Sequence, residues 1–176
     1  IVQKGRGPHL LDWAYASDEH WDAFHSNITA SNEGVKISDT EGTQKFGVDV
    51  RWNVEGFGYI YITADNGGEF YELPPKGKQR ELNLNFELAK SRVLRNRRRL
   101  ELLRRDGWQP SREVKELLAL SDSLYEDAVK SQASAELCGD YAQRALYYAM
   151  LVGEKMELEK ADFEIRKIGY RPHFFI

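Results

Sequence analysis

Phe46-Gly47-Val48-Asp49-Val50-Arg51-Trp52-Asn53-Val54 is the stretch on which the fold turns. Apolar side chains occupy every second position: Phe46, Val48, Val50, Trp52 and Val54. Gly47, Asp49, Arg51 and Asn53 fill the alternate ones. Successive side chains of a strand point to opposite faces, so this period of two predicts a half-buried β-strand with Trp52 in the core. Glu55-Gly56-Phe57-Gly58 follows as turn chemistry, and Tyr59-Ile60-Tyr61-Ile62-Thr63 as a second strand. The two form a predicted hairpin. Ile60 and Ile62 take its core face, which leaves Phe57, Tyr59 and Tyr61 beside Asp49, Arg51 and Asn53 on the other.

Working outward, Asp65-Asn66-Gly67-Gly68 is a tight-turn signal, since Asn and Gly tolerate positive φ. Phe70-Tyr71-Glu72-Leu73 is expected as a third strand, and Pro74-Pro75-Lys76-Gly77 closes the β part. Upstream, Val35 and Ile37 alternate with polar neighbours. Residues 1–33 show no sustained period and are expected as an irregular segment on the β module. Within it, Asp18 is expected to cap a short helix.

From Leu82 the period lengthens. Leu82, Phe86, Ala89, Val93, Asn96, Leu100 and Leu103 lie three and four apart, one stripe of a helix with Asn96 its polar exception. Asp106-Gly107-Trp108-Gln109-Pro110 breaks the helix. Val114, Leu117, Leu124, Tyr125 and Ala128 begin another face. Cys138, Ala142, Ala145, Ala149, Val152 and Met156 form a third stripe, with Phe163 in phase. A helix over 134–167 would run roughly 50 Å and needs partners along its length. The expected fold is α+β: a small antiparallel β-sandwich-like module followed by a long antiparallel helical hairpin or three-helix layer. The expected divisions are 1–33, a β-rich carbohydrate-binding-like module over 34–77, a helical part over 78–168, and the start of a further domain at 169–176.

The 176 residues carry a net charge of −3. That balance argues against a nucleic-acid binder, and no apolar run approaches a membrane span. Arg92, Arg95, Arg97, Arg98, Arg99, Arg104 and Arg105 could clamp phosphates, but Glu113, Glu116, Glu154, Glu157 and Glu159 offer them partners on facing helices. Cys138 is the one cysteine, so the chain forms no internal disulfide. His20 and His25 lack the four-residue spacing of a helical metal pair. Asp65 and its turn could hold calcium through oxygens, although a hairpin turn accounts for the same residues. No nucleophile elbow, phosphate loop or dinucleotide fingerprint is present. The aromatic face is the feature closest to a binding surface. Tyr59 and Tyr61 beside Arg51, Asp49 and Asn53 could stack sugar rings and bond their hydroxyls. The competing reading is that helices cover this face.

Phe46 through Tyr59, with Ala64-Asp65-Asn66-Gly67-Gly68, resembles a region found ahead of the catalytic barrel in some bacterial family 10 glycoside hydrolases, the endo-1,4-β-xylanase family. Ala149-Met150-Leu151-Val152-Gly153-Glu154-Lys155 and Gly169-Tyr170-Arg171-Pro172-His173-Phe174-Phe175-Ile176 are similar to the passage into such a barrel. The family's catalytic glutamates lie in the barrel, and their motifs do not occur here. The resemblance therefore implies a non-catalytic accessory region, a polysaccharide such as xylan as partner, a catalytic domain following in the parent chain, and an extracellular setting. The alternative is a docking or dimerisation module without a ligand of its own.

Overall fold

A computed structural model describes residues 10–31 and 34–168, so the expectation of a further domain at 169–176 lies outside the described residues. The fold is α+β. β1 (Leu10–Ser17), β4 (Gly47–Val54) and β5 (Gly58–Ala64) form one antiparallel sheet in the order β1-β4-β5. β2 (Asn27–Ser31) and β3 (Gly34–Asp39) form a two-stranded antiparallel sheet. Three helices follow: α1 (Leu84–Arg105), α2 (Arg112–Lys130) and α3 (Ala135–Ile168).

The deciding stretch is the central strand. Val50, Trp52 and Val54 are fully buried. β5 pairs with it in the register Arg51 to Tyr61 and Asn53 to Tyr59. Gly56 and Gly58, at φ +79° and +74°, let the chain reverse there. Ile62 is buried on the core side, and Ile60 packs against the same cluster.

Three local expectations need correction. Residues 1–33 are not irregular throughout, because β1 and β2 arise there. β1 is hard to see in sequence because its register against β4 shifts between Leu10 and Tyr15, which breaks the parity of its side chains. The third strand at 70–73 reduces to a single bridge between Phe46 and Tyr71. Phe70 sits at φ +64°, which takes the chain out of extended geometry. Asp18 caps no helix; its Oδ1 accepts from the backbone N–H groups of His20 and Asp22, closing an Asx-type turn.

The helices begin and end where side chains allow. Asn83 Oδ1 accepts from the Phe86 N–H to open α1, and Ser111 Oγ accepts from the Val114 N–H to open α2. Gly107 at φ +87° ends the first turnabout. α1 and α3 run side by side in the same direction. Asn83 Nδ2 donates to the Ala135 carbonyl at one end, Asn96 Nδ2 to the Ala149 carbonyl midway (2.6 Å), and Lys160 Nζ reaches Asp106 at the other. Asn96, the polar interruption of an apolar stripe, thus ties two helices together. α2 runs antiparallel to both and packs chiefly on α3, with Ser121 Oγ donating to the Ala145 carbonyl.

One core joins sheet and helices. Val50, Trp52, Val54, Ile62 and Ala64 meet Phe86, Leu88 and Ala89 of α1, Leu124 and Ala128 of α2, and Cys138, Ala142, Ala145 and Leu146 of α3. Alanines on α3 permit the close approach. A second cluster of Leu103, Trp108, Val114, Val152 and Met156 fills the far end of the three helices.

Candidate functional site

Helices cover one face of the three-stranded sheet, and the opposite face carries its aromatics in the open. Tyr59 is 39% exposed and Tyr61 51%. Sequence reasoning missed two further rings there. On β1, Ala14 and Ala16 turn to the core, and Trp13 and Tyr15 alternate outward, 61% and 40% exposed. The signal was Trp13-x-Tyr15, two aromatics at strand spacing, hidden by the register shift. Tyr15 and Tyr61 lie with ring centroids 5.9 Å apart and planes tilted at 49°. The Arg51 guanidinium stands 5.7 Å from the Tyr59 ring centre, within the range of a cation–π contact. Asn53 stands opposite Tyr59 in the register.

Asp49 is placed differently from its neighbours. It is buried, and its carboxylate accepts from Ser17 Oγ at 2.6 Å and from Thr63 Oγ1. One side chain thereby ties β1, β4 and β5 together. Its oxygens serve the sheet, whereas Tyr59, Tyr61 and Arg51 face outward. Burial, with Asp49 and Tyr61 nearby, pushes the Tyr15 phenol above its ordinary pKa, so its hydroxyl stays a donor across the physiological range. Phe57, expected on the same face, leaves it; it packs on the core and stands edge-on to Tyr147 of α3 at 6.2 Å.

Several of the remaining candidates are engaged by contacts within the chain. Asp65 Oδ1 accepts from the Gly68 N–H at 3.0 Å, and Oδ2 from Arg95 at 3.1 Å. Both oxygens are thus engaged by donors in the turn considered for calcium, and the described residues hold no metal-binding group of three or more His, Cys, Asp or Glu. Part of the arginine run is divided among partners. Arg97 pairs with Asp122, Arg99 grips Glu157 with two bonds, and Arg98 donates to the Gly67 carbonyl. The bond to Arg99 holds the Glu157 carboxyl below its usual pKa. His25 Nδ1 bonds Glu41 at 2.6 Å, and Cys138 is buried. A wider hollow of about 770 Å³ is lined by Glu19, His20, Lys45, Asn66, Gly68, Glu69, Phe70, Glu72 and Arg80, with charges of both signs. No described helix is long and apolar enough to cross a membrane.

No family model matches this chain, and neither the curated proteins nor the solved structures contain a match to it.

Proposed function

We propose that this chain is a non-catalytic accessory region of a xylanase-like glycoside hydrolase, holding plant polysaccharide on the outer face of its three-stranded sheet. The observation that carries the reading is the exposure of Tyr59 and Tyr61 while the helices occupy the opposite face. Sugar rings present C–H groups above and below and hydroxyls around the edge. Aromatic faces take the first, and the Arg51 guanidinium and tyrosine hydroxyls bond the second. Tyr15 and Trp13 extend the surface across β1. In this reading the partners are a polysaccharide such as xylan and a catalytic domain in the parent chain, and the setting is extracellular. Nucleic acid and membrane have no part in it.

The test is xylan affinity electrophoresis with calorimetry on soluble xylan. The double variant Tyr59→Ala/Tyr61→Ala is expected to bind roughly tenfold more weakly or worse, from two rings at about 0.5–1.5 kcal/mol each. Unaltered mobility of the unmutated protein in xylan gels would sink the proposal.

A second reading, docking without a ligand, draws on the last turns of α3. Leu158, Ile165 and Ile168 lie seven and three residues apart and are 69%, 67% and 50% exposed. Sedimentation would favour it by showing concentration-dependent dimers that Leu158→Glu abolishes. A single monomeric species at all concentrations would count against self-docking.

A further inference from the structure

β5 ends the three-stranded sheet, and the outer aromatic face continues around its free edge. There, between β5 and the helices, lies a cleft of about 80 Å³ lined by Tyr61, Ile62, Thr63, Arg92, Arg95 and Met150. Tyr61 belongs to both surfaces. The cleft and the candidate glycan face are therefore neighbours joined by one ring.

Two guanidiniums meet in this cleft. The Arg92 side chain is 21% exposed, and its nearest carboxylate, Glu154, is 4.0 Å away at the limit of an ion pair. Its Nε is buried and has no hydrogen-bond partner among the described residues. The lack of a side chain at Gly153 lets this guanidinium lie against α3; a Cβ there would stand 2.3 Å from Arg92 Nη2. Arg95 spends one arm on Asp65 at 3.1 Å and lies over the Trp21 ring at 4.9 Å. Burial, with Arg95 nearby, lowers the Arg92 pKa, the sign of a cation short of countercharge. A buried donor left unpaired is costly, and buried charges ordinarily have partners.

The cleft volume limits what can enter it beside the outward parts of the two guanidiniums. It equals roughly two to three waters, too little for a sugar ring and enough for one small oxyanion. Guanidinium groups bind such anions through paired N–H donors. We infer that the saccharide held on this face is acidic, and that the cleft receives an oxyanion of a sugar stacked near Tyr61, bound by Arg92 and Arg95. The carboxylate of a uronic acid and a sulfate ester share this chemistry. The inference rests on the polysaccharide reading and narrows its substrate class.

Calorimetry at low ionic strength tests it with four probes: xylohexaose, the same hexamer bearing one glucuronic acid, a sulfated carrageenan hexamer, and sodium sulfate. At least one acidic hexamer is expected to bind about tenfold more tightly than xylohexaose, with a gap that narrows as salt is added. Which acidic hexamer shows the gap distinguishes carboxylate from sulfate ester. Arg92→Gln should close the gap and leave xylohexaose affinity unchanged. Since that variant could loosen α1 from α3, Met150→Glu gives an independent test. It sets a carboxylate in the cleft from α3, and should raise Tm and close the same gap. Equal binding of neutral and acidic hexamers overturns the inference and leaves the polysaccharide reading standing. An acid preference that survives both variants also overturns it, because the anion then binds elsewhere. Binding of none of the hexamers, with or without sulfate, defeats the polysaccharide reading and this inference with it.

Discussion

Trp52→Ala is expected to bring this protein close to unfolding, with a loss of about 3–5 kcal/mol in urea denaturation. Domains of this size are stable by only about 5–15 kcal/mol, so one such loss is a large fraction of the whole. Trp52 is fully buried at the centre of the cluster that joins the sheet to all three helices. Its Nε1–H donates to Gln143 Oε1 at 3.0 Å, and Gln143 Nε2 donates to the Asn53 carbonyl at 3.3 Å. One carboxamide on α3 therefore serves two neighbouring residues of β4. Truncation to alanine opens a cavity and also leaves the Gln143 oxygen without this donor. Trp52→Phe largely separates the two effects, since it keeps most of the volume while losing the bond. Its cost is expected to be smaller, about 1–3 kcal/mol. If Trp52→Ala retained the unmutated midpoint, the sheet and helices would not share a single core.

Asp65→Ala is expected to cost about 2 kcal/mol and to loosen the turn at 65–68 where it meets α1. Breaking a fully buried ion pair typically costs about 3–5 kcal/mol, but Arg95 is 45% exposed, so water can rehydrate it and the smaller figure applies. The turn is held at several points. The Asp65 N–H donates to Ser91 Oγ at 2.9 Å, Lys90 Nζ to Asn66 Oδ1 at 2.5 Å, and Arg98 to the Gly67 carbonyl. The Asp65 carbonyl accepts from Gly68 and Phe70 at 2.9 and 2.8 Å. These remaining bonds should keep the variant folded. The change should therefore be seen locally, as faster amide exchange at Gly68 and a shifted Trp21 signal once Arg95 leaves Asp65. Asp65→Asn retains an acceptor and should fall between the two. Unchanged exchange at Gly68 in Asp65→Ala would show that the carboxylate has no part in holding the turn.

The parts of the fold legible in sequence were those with one dominant physical signal. Alternation from Phe46 to Val54 marked β4 because one of its faces is fully buried. The stripe from Cys138 to Met156 marked α3, since every member of it is buried. The tyrosine face followed from simple parity along β5. What was hidden depended on geometry that letters do not carry. β1 loses its parity at an irregularity, so Trp13 and Tyr15 could not be assigned to a face. Phe70 and Trp21 adopt positive φ, rare for bulky residues, and each ended an element that its neighbours seemed to begin. Asp49 sat on the correct face yet proved to be bonded within the sheet, which only the placement of Ser17 and Thr63 reveals. The parallel course of α1 and α3 likewise required the contacts of Asn83 and Asn96, because a stripe alone does not give direction.

The length of α3 has a mechanical consequence. Gln143 grips the sheet near one end of this helix, and Ile168 closes it roughly 38 Å away. Its last turns extend past the Asp106 contact that marks the end of α1. The helix is thus a stiff strut clamped along its first three quarters, and it sets both the standoff and the azimuth of anything joined to its tip. Inserting one residue in that overhang would lengthen the strut by only about 1.5 Å, but would swing its load by about 100° around the axis.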